Sequence, residues 1–308
     1  MIVYHYCSIE ALYAIGTKKT IRLSDITKSN DSMEIMWITQ YIEEIFVKTF
    51  DSVKAEYFKK NYPISVFQEL IKHYQTDFFD EMKRIYSYYV CCFSEKGDVL
   101  SQWRGYADDA KGVAIGFDDS LFLSIGSNGK NDPISIPVLY FGKVEYLERS
   151  HRQIVKKAAE QLIEDLKPIA KKFIIDNVDD IRQQSMKPFN KCFLDLFNKA
   201  IFIKNPFFKE EKEYRICQWL DNRIIEPQVE NILLDGDVRF DKFSFQNRGG
   251  KLVSFLDLNF SKSTSEFIKE IVIGPKAKIT KADVKRFLFN NGIDIEECHI
   301  TYSNGTYR

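Results

Sequence analysis

The chain has 308 residues in which 44 Lys and Arg balance 44 Asp and Glu, a formal net charge of zero. Holding nucleic acid mainly through its phosphates is driven by counterion release and calls for a basic surplus, so phosphate tracking is excluded as the business of the whole chain. With 44% hydrophobic and 29% charged residues and only 14 Gly and 8 Pro, the composition is that of a folded protein, and 25 Phe with 16 Tyr supply a large core. No run of about 18 apolar residues occurs, which excludes a transmembrane helix. The opening Met1-Ile2-Val3-Tyr4-His5-Tyr6 has neither a basic leader nor an apolar stretch, so no signal peptide is expected. The 6 cysteines show no CxxC, and a cytoplasmic protein with reduced thiols is the expectation.

In chain order, Ile2 to Tyr6 reads as a strand, followed by a short helix capped by Ser8 and stopped at Gly16, then an extended Ile21 to Ser24. Asn30-Asp31-Ser32-Met33-Glu34 reads as a capped helix start. Apolar residues at helical spacing then run from Ile38 to Tyr57 and from Phe67 to Ile85, divided at Pro63. Strands are predicted at Tyr88 to Phe93, Gly112 to Phe117 and Val138 to Tyr146, with a short helix from Leu100 to Ala107 and a loop from Ser124 to Pro133. Ser150 to Ile203 is helical and expected to break near Pro168 and Pro188. Strands at Tyr214 to Leu220, Leu252 to Phe260 and Ile268 to Ile273, a helix capped by Thr280 with Asp283, and a strand near His299 to Tyr302 complete the pattern. There is no regular βαβ alternation and no long linker. The expected class is α+β: one composite domain over residues 1–308, with a β core from 1–25, 88–147 and 210–308 and two helical insertions at 31–87 and 150–205.

Common catalytic motifs are missing: there is no P-loop, GxGxxG, GxSxG or HExxH, and the 4 scattered histidines argue against a metal site. Three places carry chemistry. On a strand, His5 shares a face with Val3 and Cys7 while Tyr4 and Tyr6 take the other, so His5 is either a hydrogen-bonded structural residue or a ligand holder. Cys91 and Cys92 point to opposite faces, one of them into the core, and neither has the setting of an activated nucleophile. The strand ends in Ser94, and the next helix presents Trp103 and Tyr106, which can frame a pocket or belong to a turn and the core. Read as a strand, Glu211, Glu213, Arg215 and Cys217 share a face, which is either a solvated surface or a carboxylate-lined cleft.

Together, His5-Tyr6-Cys7-Ser8, Asn30-Asp31-Ser32-Met33-Glu34, Cys92-Phe93-Ser94-Glu95 with Trp103, Tyr106 and Gly112-Val113-Ala114-Ile115-Gly116-Phe117, Glu211-Lys212-Glu213-Tyr214-Arg215 and Ile268 to Pro275 resemble the bacterial domain of unknown function 2971 family. That family is in turn similar to a remote branch of the ADP-ribosyltransferase fold, whose sparse signatures are a His or Arg on the first strand, a Ser at a strand end and a later Glu-x-Glu. His5, Ser94 and Glu211-x-Glu213 fall in that order, although Phe93-Ser94-Glu95 stands where the usual Ser-Thr-Ser would be.

The resemblance implies a split β core and NAD as substrate, with no metal. It implies that Glu213 stabilises an oxocarbenium-like transition state, Glu211 orients the acceptor and Ser94 positions Glu213. It further implies that His5 holds the adenosine side, that Tyr6, Trp103 and Tyr106 stack on a ring, and that Arg215 meets a phosphate or holds the carboxylates. The expected function is an NAD-dependent ADP-ribosyltransferase or NAD glycohydrolase, as a toxin or anti-phage effector acting on an unknown protein, nucleic-acid or small-molecule acceptor. The alternative is a non-catalytic nucleotide- or partner-sensing module of the same fold. A third reading is a nucleic-acid-acting effector, from the basic stretch Lys269, Lys276, Lys278, Lys281, Lys285 and Arg286.

Overall fold

The computed structural model describes residues 1–28, 33, 35–126, 139–172, 178–224, 233–235, 238–260 and 268–307. The chain runs β1 (Ile2–Cys7), α1 (Ile9–Lys18), β2 (Thr20–Asp25), α2 (Ile42–Asp51), α3 (Glu56–Asn61), α4 (Ile64–His73) and α5 (Phe79–Ile85). It continues through β3 (Tyr86–Ser94), α6 (Leu100–Tyr106), β4 (Val113–Asp118), α7 (Ser120–Gly126), β5 (Tyr140–Lys143), α8 (Glu148–Lys172) and α9 (Val178–Ala200). The last part holds β6 (Glu213–Asp221), β7 (Leu233–Asp235), β8 (Val238–Phe240), β9 (Ser244–Arg248), β10 (Lys251–Asn259), β11 (Ile268–Ile273), α10 (Lys281–Asn290) and β12 (His299–Tyr302). The class is mixed α+β.

The chain divides into two compact units. The first comprises Met1–Asn30, Tyr86–Lys143 and Lys209–Arg308; the second comprises Asp31–Ile85 and Val144–Phe208. In the first, the described strands form one sheet in the order β12-β11-β4-β1-β3-β2-β10-β8-β7, with β6 on β3, β5 on β6 and β9 on β10.

The sheet forks at β3. One edge of β3 pairs with β6 along its whole length, from Tyr86↔Asp221 to Ser94↔Glu213. The other edge is shared: β2 takes its start at Ser24↔Val90 and Asp25↔Tyr89, and β1 takes its tip at Tyr4↔Ser94.

Strand alternation separates two faces. The back face buries Val3, Cys7, Cys91, Phe93, Ile115, Ile216 and Ile271 together with Leu12 and Ile15 of α1 and Val284 and Leu288 of α10, the main core. The front face carries Tyr4, Tyr6, Cys92, Ser94, Glu213 and Arg215. There Tyr6, Trp103, Ala107, Ala110, Ala114 and Val272 make a smaller cluster under α6.

Ser8 caps α1 by accepting from the Ala11 amide, and Thr280 with Asp283 closes a reciprocal capping box on α10, both as the sequence predicts. Asn30 to Ser32 and Glu34, expected as a cap, lie outside the described residues, as does most of the predicted loop from Ser124 to Pro133. Glu211 departs from the predicted strand. It ends a 3-10 turn over Pro206–Glu211, and Lys212 at φ 45° turns the chain before β6 begins at Glu213.

The second unit is helical. Phe46, Phe67, Tyr74, Phe189 and Phe193 interlock, with Phe46–Phe193 ring centroids 5.5 Å and Tyr74–Phe193 5.0 Å apart. Pro168 and Pro188 lie inside α8 and α9 instead of ending them, because apolar residues on either side of each proline stay buried and outweigh the one lost backbone bond. The two described stretches of this pattern end at Lys172 and restart at Val178.

In the first unit, the segment after α6 is wedged between the ends of β1 and β11. A Cβ on Gly112 would sit 2.0 Å from the Cys7 carbonyl oxygen, so only glycine admits this approach. Gly112→Ala should destabilise the protein by at least about 2 kcal/mol in urea unfolding. A change within about 0.5 kcal/mol would refute the close approach.

Candidate functional site

The tip of β3 and the start of β6 place three expected residues, Ser94, Glu213 and Arg215, on one face together with Cys92. Ser94 and Glu213 are direct cross-strand partners, as are Cys92 and Arg215, and partners share a face. Glu213 and Arg215, two apart on β6, form a two-point ion pair, with Nε donating to Oε1 at 2.8 Å and Nη2 to Oε2 at 3.0 Å. Both are buried. Ser94 Oγ does not reach the Glu213 side chain; it donates to the Glu211 carbonyl at 2.8 Å, while the Glu95 amide donates to the Lys212 carbonyl. Ser94 therefore positions Glu211 and Glu213 through the backbone turn.

Tyr106, 45% exposed on the last turn of α6, donates its hydroxyl to Glu211 Oε1 at 2.9 Å. Burial of one side of the ring, then the Glu211 charge, pushes the phenol upward, with smaller contributions from Cys92 and Glu213. The four groups are thus neighbours. Cys92 is solvent-exposed yet crowded by protein on its other sides. Burial and the facing Glu213 carboxylate, to which the thiol donates, push the Cys92 pKa well above its ordinary value against the opposing Arg215 charge. It is a neutral donor and a poor nucleophile.

Two expected ring-stacking residues are used otherwise. Trp103 is buried edge-on against Tyr6, their centroids 4.8 Å apart, and its Nε1 donates to Asp98 Oδ1 at 2.7 Å. The Tyr6 hydroxyl donates to the Lys96 carbonyl and accepts from the Val99 amide. Both brace α6 and have no ring face to offer.

His5 is turned away from Ser94 and Glu213. It lies on the back-face side with Phe93, ring centroids 5.8 Å apart. Its Nδ1 donates to the Cys92 carbonyl at 3.0 Å, in the stretch of β3 edge that neither β1 nor β2 covers. His5, implied by the resemblance to hold the adenosine side, therefore lies on the opposite face from Ser94 and Glu213.

α6 is fastened at both ends. Before it, Asp98 accepts from Trp103, from Ser303 Oγ at 2.6 Å and from the Asn304 amide at 2.8 Å. After it, Asp108, Asp109 and Ala110 all take left-handed φ values of 48°, 51° and 72°, a costly run for residues with a Cβ. Asp109 there accepts from Lys276 Nζ at 2.8 Å and Tyr307 at 2.7 Å.

The basic stretch is partly neutralised. Lys269 pairs with Glu297 and Lys276 with Asp109, each at 2.8 Å, while the Lys281 ammonium lies 5.3 Å from the Tyr302 ring centroid. Among the described residues no cluster of three or more His, Cys, Asp or Glu could hold a metal ion, and no helix is long and apolar enough to cross a membrane.

The fold and site thus define an α+β protein with a forked sheet and a carboxylate-bearing face at the fork. Residues 102–216 match the model of a family described as a protein of unknown function (DUF2971), the family that the sequence resembles. The match holds Trp103, Tyr106, Glu211, Glu213 and Arg215. No curated protein and no solved structure matches the chain.

Cys92 belongs to this face and was not singled out as a site residue in the sequence. Alternation at Cys91-Cys92 put one thiol on each face but could not say which face stays open to solvent.

Two measurements follow from the geometry. Glu213→Gln removes the carboxylate paired with the buried Arg215 and should cost about 3 kcal/mol or more in urea unfolding, a loss much smaller in an Arg215→Met background; equal losses in both backgrounds would show that the pair is not coupled. Burial holds the His5 imidazole below its ordinary value of 6.5. The unfolded chain then takes the proton first, so stability contributed by neutral His5 is full above that pH and is lost as pH falls below it. The decline in urea midpoint from about pH 7 to about pH 5 should be shallower in His5→Gln, which keeps a donor but does not titrate; an unchanged slope would remove His5 from the account.

Proposed function

We propose that the front face at the fork binds NAD and that the protein is an ADP-ribosyltransferase or NAD glycohydrolase. The observation that carries this reading is the Ser94↔Glu213 pair at the fork, with Glu211 held beside it by Tyr106. Breaking the bond between nicotinamide and ribose builds positive charge on the sugar, and carboxylates fixed in advance stabilise that charge without reorganising during the reaction. Glu211 adds a second negative charge on the solvent side, and the exposed ring of Tyr106 is the surface on which a base can stack.

A second reading, a nucleotide-binding module without turnover, is favoured by the Arg215 charge that offsets Glu213 and by the orientation of His5.

Incubating the protein with NAD and following nicotinamide by chromatography separates the two. Transferase or glycohydrolase activity should release nicotinamide, and Glu211→Gln should slow release by about 100-fold while the unfolding midpoint stays near that of the parent. A ligand-induced rise in unfolding midpoint with no release selects the binding module. Neither release nor a rise overturns both.

A further inference from the structure

Gln102 is only 6% exposed, and its Nε2 is fully buried with no hydrogen-bond partner in the protein. Leaving a buried amide unpaired is costly, and native proteins keep few such groups. Gln102 cannot move easily to find a partner, because α6 is fastened at Asp98 and Asp109.

Its direction follows from the helix. Trp103 and Ala107 make the side of α6 that packs on Tyr6, Ala114 and Val272. Gln102 lies one turn before Tyr106 and shares its side. That side looks toward β3 and β6, where Tyr106 meets Glu211 with Cys92 and Glu213 as neighbours. A side chain whose buried nitrogen lacks a partner thus shares the side of α6 from which Tyr106 meets Glu211.

We propose that Gln102 is a ligand-recognition residue whose amide pairs through two hydrogen bonds with a planar edge presenting one donor beside one acceptor. A carboxamide and an adenine ring both have this edge, and Gln is suited to it because its own donor and acceptor lie side by side. Groups that only accept, such as phosphate or carboxylate, cannot satisfy its oxygen. The inference deepens the NAD reading and rests on it, since NAD carries one such edge at each end.

The test is calorimetric titration of the whole protein and of Gln102→Leu with NAD, ADP-ribose and nicotinic acid adenine dinucleotide, in which a carboxylate replaces the carboxamide. Leucine removes the amide at similar volume, so the unliganded variant should unfold at the same midpoint or higher. If the carboxamide is the partner, the variant should bind NAD about tenfold more weakly while the other two probes bind both proteins alike. If adenine is the partner, all three should weaken together. Gln102→Glu, which keeps the shape but loses the donor, should weaken the same probes and serves if the leucine variant does not fold. Equal affinities in all proteins overturn the assignment of Gln102 and leave the NAD reading standing. Weakened binding without nicotinamide release keeps Gln102 and removes turnover. Failure of all three probes to bind the parent protein overturns both.

Discussion

One edge of β3 has to serve two strands, and the rest of the first unit follows from how that conflict is resolved. β2 and β1 both run antiparallel to β3 on the same side, one at Tyr89 and Val90 and the other at Ser94. Neither covers the stretch between, and a carbonyl left unpaired inside a sheet costs as much as a lost hydrogen bond. The His5 imidazole supplies the missing donor to the Cys92 carbonyl. A carbonyl only accepts, so Nδ1 carries the proton. The fork thus uses the one imidazole on β1 as a structural part, and it leaves the front-face side chain of Cys92, whose carbonyl it pairs, open to solvent.

The front face beyond the fork is built by constraint more than by apolar packing. Its cluster under α6 is small beside the back-face core, and α6 has only seven residues, too few to hold itself. Two aspartates replace the missing packing by tying the helix to Ser303, Asn304, Lys276 and Tyr307. The strained left-handed run from Asp108 to Ala110 is tolerated because backbone bonds from Ala110 to Trp103 and from Gly112 to Ala107 hold it from both sides. What this arrangement fixes is the direction of Tyr106 and Gln102.

Much of this was legible in the sequence, for identifiable reasons. β3, β4, β10 and β11 are uncharged or alternating runs rich in β-branched and aromatic residues, and the caps of α1 and α10 are local contacts between neighbours in the chain. Helix content around Pro168 and Pro188 was legible but its interruptions were not, since burial on both sides of each proline overrides the local preference. The short strands β7 to β9 have too few residues to show a period. At the site, alternation correctly set His5 apart from Tyr4 and Tyr6, and it correctly put Glu213 with Arg215. It failed at Glu211, where Lys212 takes a left-handed φ that no pattern of apolar residues announces. That Tyr6 and Trp103 bury each other, and that the Gln102 nitrogen stays unpaired, depends on tertiary packing alone.

Every acidic group on the front face already has a donor from the protein. Arg215 takes both oxygens of Glu213, Cys92 donates to Glu213 as well, and Tyr106 donates to Glu211. Such carboxylates cannot swing to meet a ligand, so whatever binds must conform to them, the condition under which fixed charge acts on a developing charge without a reorganisation cost. The raised thiol of Cys92 and raised phenol of Tyr106 fit the same logic, because burial first, and then the neighbouring carboxylate charge, disfavours ionising either donor. The zero net charge of the chain therefore has a local counterpart: Glu213 is offset by Arg215 within the buried layer, and Glu211 places its charge on the outer side of that layer. An entering cation therefore meets the Glu211 charge ahead of the offset Glu213–Arg215 pair buried behind it.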